Sequence, residues 1–552
     1  MRYKYGVRGR ALDPEIGVPA GGIPDRTDVP LDRLLQDMYV FLLKECNIVL
    51  NGLFASTLIE KDKREIETGA RIDDEEETPA QAFQRLGDLS ADAEADCRHT
   101  AAEQFHLERI QMSAYNPAIG IDNDKVYASY ALYAEFLLRR AAKLRVLATT
   151  PESVSVANGY VQIAREALEQ AVSRSGRRRY WRYELLLGCL LYDQGLEEAG
   201  DACMDRALSS QLGDVAVSIS DLGGYDSDGM VKADPLLYAV LAGQYSRGLQ
   251  PIKSRKALRL LSRSYAEGGF EPAVAHHGSP RRTATLCLAR AAEYLFGFGF
   301  VELGKACLTL ARECDRAATE RALEFGVSPA APVFIRYAIQ RAEAAELLSE
   351  RELDAAVRAM EESVLISEED DDKVRSLLWV AGVNADYPLD DHAAAIDSYI
   401  RAIHTGEEKP YLIPLDALVR LGKLLIEGAR YTEALEFLLF GCRLYAFSST
   451  LFKLVGLTSL RLGKLEDAED ALYEANLLDN RSPEVWGYLC LLCLTCGAHR
   501  EKEAELSLVQ ALRLGLDSNS LLRELAVAYM AADKLQVAED LVRRATVCDR
   551  FL

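Results

Sequence analysis

The sequence predicts an all-α superhelical solenoid of about ten stacked helical hairpins, and three observations carry that expectation. Four frames headed by Leu418, Phe452, Trp486 and Leu522 echo one another, and the first three stand 34 residues apart. Small residues recur at fixed offsets inside each frame, and bulky apolar residues fall between them at helical spacing. A helix–turn–helix unit with this period is the tetratricopeptide (TPR) repeat.

With each anchor counted as position 4, position 7 reads Leu421, Val455, Leu489 and Leu525, and position 8 reads Gly422, Gly456, Cys490 and Ala526. Position 20 is Ala434, Ala468 and Ala538, position 24 is Leu438, Leu472 and Val542, and position 27 is Gly441, Ala475 and Ala545; in the third frame two extra residues shift the equivalents to Ala504, Leu508 and Ala511. Bulky residues at 4, 7, 11 and 24 form an apolar stripe, and the small ones let helices approach closely. One hairpin cannot bury such a stripe alone, whereas stacked neighbours can, and the product is extended surface. The third frame carries two extra residues between Gly497 and Lys502, so its insertion falls in a turn.

Ahead of these regular frames the chain reads in segments. Residues 1–30, with Pro14, Pro19, Pro24 and Pro30 among glycines, predict an extended arm. Residues 31–59 keep helical apolar spacing and predict an amphipathic helix; residues 60–78, with the run Asp73–Glu77, predict an acidic linker. Residues 79–410 read as divergent TPR-like hairpins and 411–552 as four regular repeats. The first divergent hairpin is placed at Ala80–Leu89 and Ala93–Met112, followed by a frame opening at Tyr130 with a turn insert around Thr149–Gly159. Next come a frame through Gly188, Gly195, Gly200 and Met204, a Gly/Asp-rich loop over Asp221–Asp234, and frames around Tyr238–Leu261, Cys287–Leu310, Tyr337–Ile366 and Leu377–Ile403. The acidic run Glu368–Asp372 is read as a turn.

Composition narrows the function classes. Lys and Arg number 64 against 85 Asp and Glu, a net charge of −21, which disfavours non-specific nucleic-acid binding and favours basic partners. Met1–Arg10 does not read as a signal peptide, and no stretch approaches the roughly 18 apolar residues of a membrane span. The twelve cysteines are expected to be reduced intracellular thiols.

Candidate chemistry is sparse. Cys490, Cys493, Cys496 and His499 stand three apart, but the first two occupy inward positions of a helix, where cysteine packs as a small hydrophobe. Asp226-Ser-Asp228-Gly229 lacks the terminal carboxylates of a calcium loop. Gly297 and Gly299 lack the rest of a dinucleotide fingerprint and are expected to relieve crowding between helices. His276-His277 falls in a loop without further ligands. No nucleophile, phosphate-loop or zinc-hydrolase motif is found, so no catalytic, cofactor or metal residue is assigned and the chain is read as no enzyme.

One basic, aromatic-interleaved patch remains: Arg177, Arg178, Arg179, Trp181 and Arg182, suited to an acidic partner segment. A chaperone-type adaptor would grip a peptide through Lys at position 5 and Asn at position 9. Position 5 reads Val419, Lys453, Gly487 and Arg523, and position 9 reads Lys423, Leu457, Leu491 and Val527. The asparagine is missing, which disfavours that adaptor.

The run Leu462-Gly-Lys-Leu465-Glu-Asp-Ala468-Glu-Asp-Ala471-Leu472-Tyr-Glu-Ala475-Asn476-Leu, continued by Asn480-Arg-Ser-Pro-Glu484-Val-Trp486, resembles the last repeats of the cilia- and flagella-associated protein 70 family. Pro332–Tyr337 and Phe105–Ile110 are fainter echoes in order. Acidic and asparagine identities from Glu466 to Trp486 read as free choices on exposed faces, so the repeat alone does not account for them. The resemblance implies a non-enzymatic scaffold of the ciliary or flagellar axoneme, cytoplasmic before assembly. Its partners would be other axonemal proteins, such as central-apparatus subunits or tubulin, with no specific nucleic acid and no membrane. It also implies a large β-rich region ahead of the repeats; residues 1–30 read as an arm instead, so nothing of that region's function is carried over. The other reading is a TPR adaptor for peptide segments of cytosolic chaperone or transport complexes.

Overall fold

A computed structural model describes residues 79–115, 123–174, 181–211, 233–267, 280–324, 331–387, 389 and 391–548. The arm at 1–30, the helix at 31–59 and the linker at 60–78 lie outside the described residues, as do Arg177, Arg178, Arg179, Asp226–Gly229 and His276-His277. Among the described residues there are 22 α-helices and no β-strand. In order they are α1 (Pro79–Ala95), α2 (His99–Tyr115), α3 (Asn123–Leu147), α4 (Pro151–Arg174), α5 (Trp181–Asp193), α6 (Glu197–Gln211), α7 (Pro235–Arg247) and α8 (Pro251–Glu267). There follow α9 (Pro280–Gly297), α10 (Val301–Glu324), α11 (Val333–Ser349), α12 (Leu353–Ile366), α13 (Asp370–Asp386) and α14 (His392–Thr405). The last eight are α15 (Leu415–Glu427), α16 (Tyr431–Leu444), α17 (Ser449–Arg461), α18 (Leu465–Leu478), α19 (Pro483–Cys496), α20 (Glu501–Arg513), α21 (Asn519–Ala531) and α22 (Leu535–Cys548). From α3 onward each odd helix packs on the next even one, which gives ten hairpins among the described residues. The fold is all-α and built of stacked TPR-type hairpins.

The chain divides into two compact units, one joining described residues 79–105 to 409–548 and the other holding 106–408. In the first, the repeat positions do what their sizes require. A Cβ on Gly422 would stand 2.5 Å from Leu438 Cδ2, and one on Gly456 would stand 2.6 Å from Leu472 Cγ, so position 8 is small because position 24 fills its space. Gly441 at position 27 similarly faces Leu451 of the next hairpin. The last frame departs from this register: Val542, read as position 24, is 43% exposed, and Leu541 is buried in its stead. In the second unit, Arg341 on α11 bonds Glu293 on α9 at 3.0 Å and Ser376 on α13 at 3.1 Å, tying three successive first helices together.

Several boundaries differ from those the sequence suggested. The break placed between Leu89 and Ala93 is absent, because α1 runs on to Ala95 and the chain turns at Cys97, whose φ is 61°. Thr149–Gly159 is largely helix and no turn insert. Pro151 opens α4, and Thr150 and Ser153 exchange side-chain and backbone bonds of 3.3 Å in each direction, a reciprocal cap that fixes the start. Of Glu368–Asp372, the last three residues form the first turn of α13, where carboxylates favour the helix dipole. Gly299 does relieve crowding, since a Cβ there would stand 3.2 Å from that of Ala142, but Gly297 has open space. It is Gly304 that faces Phe296, at 2.8 Å.

The turn inside a hairpin has one recurring form. The residue in the left-handed region is Gly195, Leu249, Gly299, Arg351, Ala429, Gly463 or Asp533, and the next residue's N–H reaches back five residues, as Gln250 to Tyr245 at 2.8 Å. Leu249 is 88% exposed and in this geometry costs about 1–2 kcal/mol. Leu249→Gly therefore removes strain without removing packing. After about 0.5–1 kcal/mol of added unfolded-state entropy, a net stabilisation of about 0.5–1 kcal/mol is expected in thermal unfolding. A lower melting temperature would show that the turn carries no strain.

Among the described residues no helix is long and apolar enough to cross a membrane.

Candidate functional site

Lys453 and Lys423, at repeat positions 5 and 9, project from the first helices of two adjacent hairpins, α17 and α15. Helix α1 lies against both helices within the same compact unit. Its apolar face, Phe83, Leu86, Leu89 and Ala93, recurs every three or four residues and is buried. Its carboxyl-terminal end delivers two aspartates, Asp92 in the last turn and Asp96 directly after it, one helical turn apart.

Asp96 is the carboxylate that the two lysines hold. Lys453 Nζ donates to Asp96 Oδ2 at 2.8 Å and to Glu484 Oε2 at 2.5 Å. Lys423 Nζ pairs with Asp96 Oδ1 at 2.6 Å and donates to the Asp96 carbonyl at 2.9 Å. Arg98, just beyond the turn at Cys97, reaches back to Asp96 at 2.8 Å and across to Asp479 at 3.6 Å. Burial works against ionisation of Asp96, but Lys453, Lys423 and Arg98 outweigh it and hold the carboxyl below its ordinary range. Burial would likewise discharge Lys453, and Asp96 with Glu484 keeps its ammonium charged.

Asp92 meets a different receiver. Ser448 caps α17, taking the Leu451 N–H at 3.2 Å and donating its own hydroxyl proton to Asp92 Oδ1. The Thr450 N–H and hydroxyl donate to Asp92 Oδ2 at 3.1 and 3.0 Å. The carboxylate of α1 thus occupies the amino-terminal end of α17, where unpaired N–H groups and the helix dipole favour an anion. Burial nevertheless pushes the Asp92 carboxyl upward, with Ser448 and Arg98 pulling against it.

The two aspartates therefore act in opposite senses on pH. Asp96 has a depressed folded pKa, so its stabilisation is present above the ordinary carboxylate value of about 4 and is lost as pH falls from there through the folded value. Asp92 has a raised one, so its burden is absent below about 4 and sets in as pH rises through the folded value. Asp96→Asn is expected to destabilise by about 2 kcal/mol at neutral pH, the worth of a charged hydrogen bond, and the gap should narrow progressively as pH falls below about 4. Asp92→Asn should match or exceed wild-type stability at neutral pH. Unfolding midpoints measured across that range check both signs; a pH-independent gap for Asp96→Asn would refute the assignment.

Sequence reasoning named Lys453 and Lys423 as clamp positions and set them aside for want of an asparagine. Their carboxylate partner lies 357 residues away from Lys453 and could not be read from repeat spacing. A second correction concerns Glu466–Trp486. Glu466 is exposed as expected, but Asp479 is buried beside Arg98 and Glu484 shares Lys453, so these two identities are fixed by pairing. Arg481 places its guanidinium 5.1 Å from the Phe105 ring centroid.

Of the basic patch, Trp181 and Arg182 open α5 with the guanidinium 5.5 Å from the indole centroid. Cys490 is buried with Sγ 3.5 Å from Tyr529 Oη, and Cys493 lies in the same apolar cluster. Burial pushes their thiols up, to about 12 and about 11. Cys496 is half-buried and His499 exposed, so the four residues do not converge. Among the described residues no group of three or more His, Cys, Asp or Glu is placed to hold a metal ion.

Comparison with known proteins bears on the same region. Residues 301–550 match the model of a family described as the cilia and flagella-associated protein 70 C-terminal domain. Cilia- and flagella-associated protein 70 of Macaca fascicularis is 34% identical over 139 residues, 23% of this chain and 14% of that protein. The Homo sapiens protein of the same name is 38% identical over 107 residues, 19% of this chain and 9% of its own length. The matched stretches thus span a small part of those relatives. Among solved structures, a signal transduction ATPase with a tetratricopeptide repeat sensor from Pyrococcus horikoshii aligns over 78% of this chain and 72% of its own, at 12% identity and a TM-score of 0.33. That likeness is too weak to add to the fold described above. In its carboxyl-terminal repeat region, the chain resembles cilia- and flagella-associated protein 70.

Proposed function

We propose that this protein is a non-enzymatic protein–protein interaction scaffold of the motile cilium or flagellum, a component of the axonemal central apparatus needed for motility. The observation that carries the reading is the match of residues 301–550 to a ciliary family domain. A stacked-hairpin architecture supports it, because such arrays present surface for binding other proteins. Its partners are other axonemal proteins, with Arg177, Arg178, Arg179, Trp181 and Arg182 suited to an acidic segment such as a tubulin tail. Extraction of axonemes carrying a tagged copy with detergent and salt tests this. Retention with the axoneme is expected, and release with the soluble matrix would overturn it. Replacing Arg177, Arg178, Arg179 and Arg182 by Ser is expected to weaken retention; unchanged retention would remove the patch from the interface.

A second reading, an adaptor that binds peptide segments of cytosolic partners, is favoured by one observation. Lys453 and Lys423 occupy clamp positions and hold a carboxylate.

A further inference from the structure

We infer that the first two regular hairpins form a receptor for an acidic helix, and that α1 is its ligand supplied in cis. The fit rests on three polar residues of one segment, Asp92, Asp96 and Arg98, each with its own receiver. Asp92 meets Ser448 and Thr450 at the amino-terminal end of α17. Asp96 meets Lys453 and Lys423, and Arg98 meets Asp479. The recognised pattern is therefore Asp-x-x-x-Asp-x-Arg, with the two aspartates on one helical face.

Two features distinguish this seat from ordinary core packing. The hairpins α15–α16 and α17–α18 carry repeat positions of their own, and within each a small-to-large pair, Gly422 with Leu438 and Gly456 with Leu472, joins the two helices without α1. The segment that fills the seat is more than 300 residues distant in sequence and is joined through charged groups at its end. Such a link makes the contact intramolecular, with an effective concentration set by the length and geometry of the connection, so an outside helix must outcompete it. The partner class is thus a protein carrying an acidic helix of the same pattern, admitted when α1 leaves. This holds wherever in the cell the protein works.

The test uses the full chain and a fluorescein-labelled peptide of residues 79–98, with binding read by anisotropy. Asp96→Asn in the chain weakens the cis ligand, and that chain is expected to bind the peptide at least about tenfold more tightly than wild type. A peptide bearing the same substitution should lose at least about tenfold against the wild-type peptide on that chain. Equal affinity of the two peptides, or no saturable binding to a variant with wild-type circular dichroism, would overturn the inference. Where the variant does not fold, native-state hydrogen exchange on the wild-type chain decides. Amides of α1 exchanging faster than those of α15 and α17 support a detachable ligand, and exchange in step with α17 refutes it. Wild-type chain running at twice its mass through exchanged α1 would place the ligand in trans and overturn cis occupancy.

Discussion

Replacing Lys453 by alanine is expected to destabilise the carboxyl-terminal unit by about 3–5 kcal/mol, the range found when one partner of a buried ion pair is removed. The lysine is 4% exposed, and its ammonium stands between Asp96 and Glu484. Without it, Asp96 keeps Lys423 and Arg98 but remains buried with less compensation, whereas Glu484 can turn to water. Most of the cost therefore lies in Asp96. Lys453→Met separates charge from volume, because it keeps most of the side-chain bulk; it should lose less than alanine by roughly the cavity contribution. Adding Asp96→Asn to Lys453→Met should recover part of the loss, since the uncompensated carboxylate is then gone. The three tryptophans are Trp181, Trp379 and Trp486, so chains with Trp181→Phe and Trp379→Phe report this unit through Trp486 alone. Strictly additive losses in denaturant unfolding would show that Lys453 and Asp96 are not coupled.

How much of this was legible in sequence depends on distance along the chain. The repeat was plain because its determinants are local: Gly422 and Leu438 lie in one hairpin, as do Gly456 and Leu472. Hairpin ends were less legible, because the residues that mark loops also mark helix starts. Asp370, Asp371 and Asp372 look like a turn by composition, yet their charges suit the first turn of α13. Thr150 and Ser153 were legible as a cap once Pro151 is taken as a helix opener and no longer as a breaker. Leu249 and Ala429 hid their turns for another reason: a glycine stands one residue earlier, at Gly248 and Gly428, while the left-handed position falls on the larger residue. The clamp divides along the same line. Lys453 and Lys423 were found by position, but Asp92, Asp96 and Arg98 come from a segment whose acidic spacing alone reads as a solvated helix face. Pairing across more than 300 residues leaves no local trace.

The close approach of position 8 to position 24 makes a second large effect testable by a double-mutant cycle. Gly456→Ala would put its Cβ 2.6 Å from Leu472 Cγ and 2.8 Å from Leu472 Cδ2, with the Ala468 carbonyl at 3.4 Å behind. Leu472 is fully buried, so its side chain has no solvent to move into. Overpacking of this kind costs about 1–3 kcal/mol. Helix propensity works against that penalty, since alanine is favoured over glycine in a helix interior by about 1 kcal/mol. The steric cost wins because the displaced group is a branched core side chain held on several sides. Leu472→Ala alone removes the obstruction and leaves a cavity, at an expected cost of about 2–5 kcal/mol. In that background the sign of Gly456→Ala should reverse: the methyl enters vacated space and the propensity gain remains, so the double variant should be more stable than Leu472→Ala by about 1 kcal/mol. Unfolding read from Trp486, one hairpin away, measures all four corners of the cycle. A destabilising Gly456→Ala in both backgrounds would mean that something other than Leu472 requires the glycine, and the size rule linking positions 8 and 24 would fail at this hairpin.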